Sequence, residues 1–141
     1  MKCITYKSGY KYQLKQSYSL AISIVPAATI TTEFIELTGG GVLTINTGYA
    51  WDGPSGPTID TLNFIRGSLV HDVLYQLMRE RHLDTKEYRE KADRILQELC
   101  KEDGMSSLRA WWVYHGVRLG GGPSADPKHD KPLIKAPKGY S

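Results

Sequence analysis

Leu62-Asn63-Phe64-Ile65-Arg66-Gly67-Ser68-Leu69-Val70-His71-Asp72-Val73-Leu74-Tyr75-Gln76-Leu77-Met78-Arg79-Glu80 is the stretch on which the fold class turns. Leu62, Ile65, Leu69, Val73 and Leu77 recur at helical spacing, which predicts an amphipathic helix from about residue 62 to residue 80. Upstream of it the period is two. Tyr10 to Leu14 alternates, Leu20 to Val25 is a short apolar run stopped by Pro26, and Thr29 to Leu37 is rich in β-branched residues. Gly39-Gly40-Gly41 then turns the chain into Val42 to Thr47, a hairpin signal. The expectation is an α+β fold: an N-terminal antiparallel sheet of three or four strands, then three helices, the first two antiparallel.

Between sheet and helix lies Gly48 to Asp60, whose three glycines and two prolines predict a stiff irregular loop. Downstream, Asp84 followed by Glu87 reads as a capping box opening a second helix, with Tyr88, Ala92, Ile95, Leu96 and Leu99 on its apolar face and Gly104 at its end. A third helix is expected from Ser106 or Ser107, burying Leu108, Trp111, Trp112 and Leu119 and stopping at Gly120-Gly121-Gly122. The short connection from Arg81 to Thr85 favours antiparallel packing of the first two helices. Residues 1–121 read as a single domain (1–47 sheet, 48–60 Gly/Pro loop, 61–120 helices). Residues 122–141 read as an extended Pro/Lys-rich tail, which could order on a partner.

The chain has 141 residues, a formal net charge of +3 and 40 % hydrophobic residues. One domain of this length can bury a core without disulfides. No apolar block reaches the roughly 18 residues of a membrane span, and the start shows no export signal. Basic and acidic residues are interleaved, so no nucleic-acid stripe stands out. Cys3 and Cys100 are too few and too far apart for a disulfide scaffold or a zinc knuckle, and read as reduced thiols.

The chemistry-bearing feature is Val70-His71-Asp72-Val73-Leu74-Tyr75. His71 falls at the edge of the apolar stripe and Asp72 one residue further round, in the polar arc. An imidazole suits proton transfer near neutral pH, and a carboxylate can hold a hard cation. A boundary histidine beside a surface aspartate fits the same pattern. Asp93 lies at the margin of the second helix's apolar face. Antiparallel packing would let it face His71 and fix its tautomer, while a surface charge paired with Arg89 or Lys86 is the other reading. The Trp51 to Pro57 loop, with Asp52 and Asp60 nearby, offers oxygen donors or simply a turn-rich connection. His115 reads as a core histidine with a backbone partner.

From Gly48 to Gly121 the chain resembles a family of short phage and prophage proteins of uncharacterised function. The shared pattern is a loop like Trp51-Asp52-Gly53-Pro54-Ser55, a helix with His71-Asp72 and Tyr75, then Ala92-Asp93, then a helix ending near Val117-Arg118-Leu119-Gly120. More distantly, it is similar to the calcium-dependent secreted phospholipases, especially the compact viral type. That resemblance implies His71 as the base activating water, Asp93 as its orienting carboxylate, and Asp72 with the Gly53 and Gly56 loop as ligands of calcium or another divalent cation. The departures are a loop that lacks the Tyr-x-Gly-x-Gly order, absent disulfides and an N-terminal sheet without counterpart. The expectation is therefore a phage-encoded, cation-dependent hydrolase acting on an ester or envelope component. A non-catalytic virion or tail component is the alternative, as is a host-interaction protein docking virion or host partners through its tail, and the resemblance implies a host cytoplasm or a phage virion as the location.

Overall fold

The computed structural model describes residues 6–9, 11–51 and 62–125. These residues fall into two compact units, strands up to Trp51 in one and helices from Leu62 in the other. Antiparallel sheets followed by helices make the chain α+β.

In the strand unit, β3 (Tyr18–Ala21), β4 (Ile30–Thr31), β5 (Ile35–Leu37) and β6 (Val42–Ile45) form a four-stranded sheet in the order β3-β6-β5-β4. The glycine-turned hairpin is present, with Leu37 opposite Leu43 and Ile35 opposite Ile45. Gly41 has φ 88°, and a Cβ there would lie 2.8 Å from the Ile22 carbonyl oxygen, so only glycine fits without strain. Alternation then sorts the faces. Tyr18, Leu20, Ile35, Leu37, Leu43 and Ile45 are buried, while Ser19 and Thr44, opposed on the other face, share a hydroxyl hydrogen bond of 2.8 Å.

A second sheet joins β1 (Tyr6–Gly9), β2 (Lys11–Leu14) and β7 (Ala50–Trp51) in the order β1-β2-β7. The expectation of an irregular loop starting at Gly48 is corrected here. Ala50 and Trp51 pair with Gln13 and Tyr12, and the Tyr12 and Trp51 rings lie 5.4 Å apart. Aromatic cross-strand packing outweighs the turn signal until the prolines, which lie outside the described residues.

In the helical unit, α1 (Leu62–Arg79), α2 (Thr85–Glu102) and α3 (Ser107–Gly120) match the expected three helices, with a further turn α4 (Gly122–Ala125). The Asp84 carboxylate accepts from the Glu87 amide, closing the predicted cap, and Gly104 follows α2 with φ 103°. Contacts between α1 and α2 run in antiparallel order. Arg66 bonds Glu102 and Asp103, His71 meets Asp93, and Tyr75 meets Arg89. Gly67 lets the helices approach, since a Cβ there would lie 3.0 Å from both Cys100 Sγ and Leu96 Cδ1. Gly67→Leu is expected to destabilise the protein by about 1–3 kcal/mol through overpacking. Urea unfolding checks this, and an unchanged midpoint would contradict the close approach.

The third helix docks through a different face from the one expected. Leu108, Trp111, Trp112 and Leu119 are exposed, at 69 %, 46 %, 64 % and 90 %. Ala110 is the residue buried instead, with Val113 and Val117 packed against Leu96, Cys100 and Met105. The reason is polar as well as apolar. The same side of α3 carries Tyr114 and Arg118, which bond Glu90 and Asp93 of α2. Satisfying a buried carboxylate outweighs burying two indoles. His115 follows the exposed side. It is half-buried, with its ring 4.1 Å from that of Trp111, and is not a core histidine.

The extended tail expected from residue 122 begins instead as α4, where Ala125 is fully buried and its carbonyl accepts from Thr85 Oγ1 at 3.1 Å. Ala125→Asp is expected to cost about 2 kcal/mol or more, because a carboxyl group would enter a site with no solvent access. A thermal midpoint equal to that of the wild type would show that α4 is not docked.

Candidate functional site

Asp93 is the centre of the site. It sits on the buried side of α2 with 0 % exposure. Such a carboxylate is tolerated only when its lone pairs are taken up. Three side chains do so. His71 Nε2 lies 2.7 Å from Oδ1, the Tyr75 hydroxyl donates to Oδ1 at 2.6 Å, and Arg118 Nη1 donates to Oδ2 at 2.8 Å. His71 and Tyr75 are a helical turn apart on α1, with rings 4.1 Å apart, so one face of one helix delivers both.

A second arginine braces this cluster. Arg89, one turn before Asp93 on α2, donates from Nε to the Tyr75 hydroxyl oxygen at 3.1 Å. Its Nη2 donates to the carbonyls of Val117 and Arg118 at 2.9 and 2.8 Å. These are last-turn carbonyls of α3, at the negative end of the helix dipole, and that of Val117 also accepts from the Gly121 amide at 2.8 Å. Arg89 thus anchors the end of α3 that presents Arg118 to Asp93. Gly121 completes the fit, because a Cβ there would lie 2.9 Å from the Tyr75 hydroxyl oxygen.

The electrostatics follow from the contacts. Burial pushes the Asp93 carboxyl up, but hydrogen bonds from His71, Tyr75 and Arg118 outweigh it and hold the group below the usual carboxylate range. Burial, then the hydrogen bond to Asp93, pushes the Tyr75 phenol well above its ordinary value, so it stays a proton donor. Asp93 therefore accepts only, and the ring nitrogen facing it, Nε2, must donate. The neutral imidazole is left with an unprotonated Nδ1, the atom able to take a proton.

The depressed Asp93 value has a pH consequence. Its contribution to stability is present above the unfolded carboxyl value of about 3.9. It is lost as pH falls through the lower folded value, because protonation cancels the ion pair. Unfolding free energy should therefore decline below about pH 4 in the wild type, and less steeply in Asp93→Asn. Equal acid limbs for the two proteins would contradict the assignment.

The structure brings together the predicted His71 and Asp93, and Asp93 is not the surface charge that was the other reading. Asp72 is half-buried on α1. Gly53 and Gly56, with Asp52 and Asp60, lie outside the described residues. Among the described residues no group of three or more His, Cys, Asp or Glu side chains converges as a metal site. Cys100 is a packing thiol, pushed up to about 12 chiefly by burial, and so a poor nucleophile. Sequence reasoning placed Arg89 only as a surface partner of Asp93 and missed Arg118; in the structure Arg89 instead reaches the Tyr75 hydroxyl and the end of α3, a contact between helices that spacing within α2 does not signal. The role of Arg118 depended on which face of α3 docks.

Among the described residues no helix is long and apolar enough to cross a membrane. Neither a curated protein nor a solved structure matches the chain. Residues 29–117, covering the β4–β7 strands, α1, α2 and most of α3 with His71, Tyr75, Arg89 and Asp93, match the family described as protein of unknown function DUF1353, and the chain belongs to that family.

Proposed function

We propose that the His71–Asp93 pair is a hydrolytic site in a phage-encoded protein, acting on an ester or another envelope component. The observation that carries this reading is the fully buried, triply bonded Asp93 carboxylate placed 2.7 Å from the His71 ring. A carboxylate that fixes an imidazole tautomer is the orienting arrangement a general base needs. In the proposed reaction His71 Nδ1 takes a proton from water as its oxygen bonds to the ester carbonyl carbon. The proton passes to the leaving alkoxide as its C–O bond breaks. Tyr75 and Arg118 hold Asp93 in place throughout.

Calcium or another divalent cation would polarise the carbonyl if the site takes one. The described residues contribute Asp72 alone to such a ligand set, and the remaining donors implied by resemblance, Gly53 and Gly56, lie outside them. The ordered motifs from Trp51 to Gly120 support the phage or prophage source.

The test is turnover of chromogenic short-chain esters and of phospholipid dispersions, each with added calcium and with chelator. Hydrolysis by the wild type that is lost in His71→Ala is the expected result. A wild type inert on every substrate, or a His71→Ala variant equally active, contradicts the reading and favours a non-catalytic virion component.

A further inference from the structure

Arg89 serves two sets of acceptors on two different helices. Its Nε donates to the Tyr75 hydroxyl oxygen on α1 at 3.1 Å, and its Nη2 donates to the Val117 and Arg118 carbonyls of α3 at 2.9 and 2.8 Å. The two sets are close neighbours. A Cβ on Gly121 would lie 2.7 Å from the Val117 carbonyl oxygen and 2.9 Å from the Tyr75 hydroxyl oxygen. A guanidinium only donates and an ionised carboxylate only accepts, whereas a hydroxyl does both and turns to suit its neighbours. The Tyr75 proton therefore has two competing destinations, Asp93 Oδ1 at 2.6 Å and the carbonyls beside Gly121. Arg89 closes the second. With the Gly121 amide at 2.8 Å, it fills both lone pairs of the Val117 carbonyl. Its Nε–H also lies against the phenol oxygen and turns the phenol hydrogen toward Asp93. Burial and Asp93 raise the Tyr75 phenol, and the Arg89 charge works against both, polarising the O–H bond toward the carboxylate.

We propose that Arg89 is a positioning residue for His71, acting through Tyr75: it keeps the phenol proton on Asp93 Oδ1, the oxygen that holds the His71 ring. Rotation of an aspartate carboxyl about its last bond is soft. Here it is stopped from both sides, by Arg118 on Oδ2 and by Tyr75 on Oδ1, and Oδ1 is the oxygen 2.7 Å from His71 Nε2. A phenol turned toward α3 frees the carboxylate to twist and weakens its hold on the Nε2 proton. Arg89 has a second route to Asp93, because it anchors the end of α3 that presents Arg118. The route through the phenol is the one assigned here, since Tyr75 and His71 share a single oxygen while Arg118 sits on the other. The role rests on His71 being the base of the hydrolytic reading, but the hold on its proton is measured without a substrate.

The experiment is a double-mutant cycle on the full-length chain. It reads the rate at which the His71 Nε2 proton exchanges with water, by nitrogen-15 NMR of the neutral ring. Arg89→Met is expected to speed that exchange about 3–10-fold, the worth of one hydrogen bond. In a Tyr75→Phe background the same substitution should change it by less than about twofold, because the phenol it acts through is gone. Tyr114→Phe, which frees α3 from Glu90 without touching the phenol, should also change it by less than about twofold. Arg89→Lys keeps the charge but cannot bridge the phenol and the carbonyls. It goes through the same cycle and should give a smaller rise that Tyr75→Phe again removes. Thermal midpoints of all variants show which are folded at the NMR temperature. Unchanged exchange in both Arg89 variants overturns the proposal. So does a rise that persists in the Tyr75→Phe background, or one that Tyr114→Phe reproduces, because Arg89 then acts through α3. The expected cycle in a protein inert on every ester would refute the hydrolytic reading and leave the positioning of His71 standing. Turnover with a failed cycle would refute the role of Arg89 alone.

Discussion

Asp93→Ala is expected to destabilise the protein by about 3–5 kcal/mol, the range for removing one partner from a buried, hydrogen-bonded charge cluster. The loss is large because Asp93 serves three donors at once. Arg118, about one-third exposed, can turn to water, but His71 and Tyr75 are buried and would face a void. Asp93→Asn preserves the shape and should cost less. Its amide offers one oxygen where the carboxylate offered two, so one of the facing donors loses its acceptor. Urea unfolding at neutral pH measures both variants. A cost below about 1 kcal/mol for Asp93→Ala would show that the cluster does not hold the helices together.

The second large effect is on turnover. His71→Ala should reduce hydrolysis by about 10²–10⁴-fold, the usual contribution of a positioned general base. Because His71 is itself buried, at 8 % exposure, and its loss leaves Asp93 one partner short, a thermal midpoint measured alongside must show that the variant is still folded at the assay temperature. Tyr75→Phe supplies the contrast. It removes one hydrogen bond to Asp93 but not the base, so rate should fall by less than in His71→Ala. Equal losses in both, with intact stability, would mean that Tyr75 itself takes part in the chemistry.

Much of this architecture was readable from the chain. The switch from period two to period 3.6 separated strands from helices, and the Asp84 to Glu87 cap with Gly104 bounded α2 closely. His71 facing Asp93 followed from two marginal positions on helices joined by a short turn. Ala50 and Trp51 were hidden because the strand they extend begins 39 residues earlier, at Lys11, and a two-residue pairing leaves no periodic trace. α3 misled for a physical reason. Its bulkiest apolar residues define the obvious stripe, whereas docking was decided by small Ala110 and by Arg118 reaching a carboxylate on another helix. Long-range charge satisfaction of that kind has no local signature, and it also concealed the roles of Arg89 and Arg118.

The central claim is that Asp93 holds the His71 imidazole with its proton on Nε2, leaving Nδ1 as the base. Nitrogen-15 NMR of the His71 ring in its neutral form, comparing wild type with Asp93→Asn, reads this without any substrate. The account predicts a protonated Nε2 and a bare Nδ1 in the wild type, with that preference lost in Asp93→Asn. A wild-type ring carrying its proton on Nδ1, or a tautomer ratio that Asp93→Asn leaves unchanged, would contradict it.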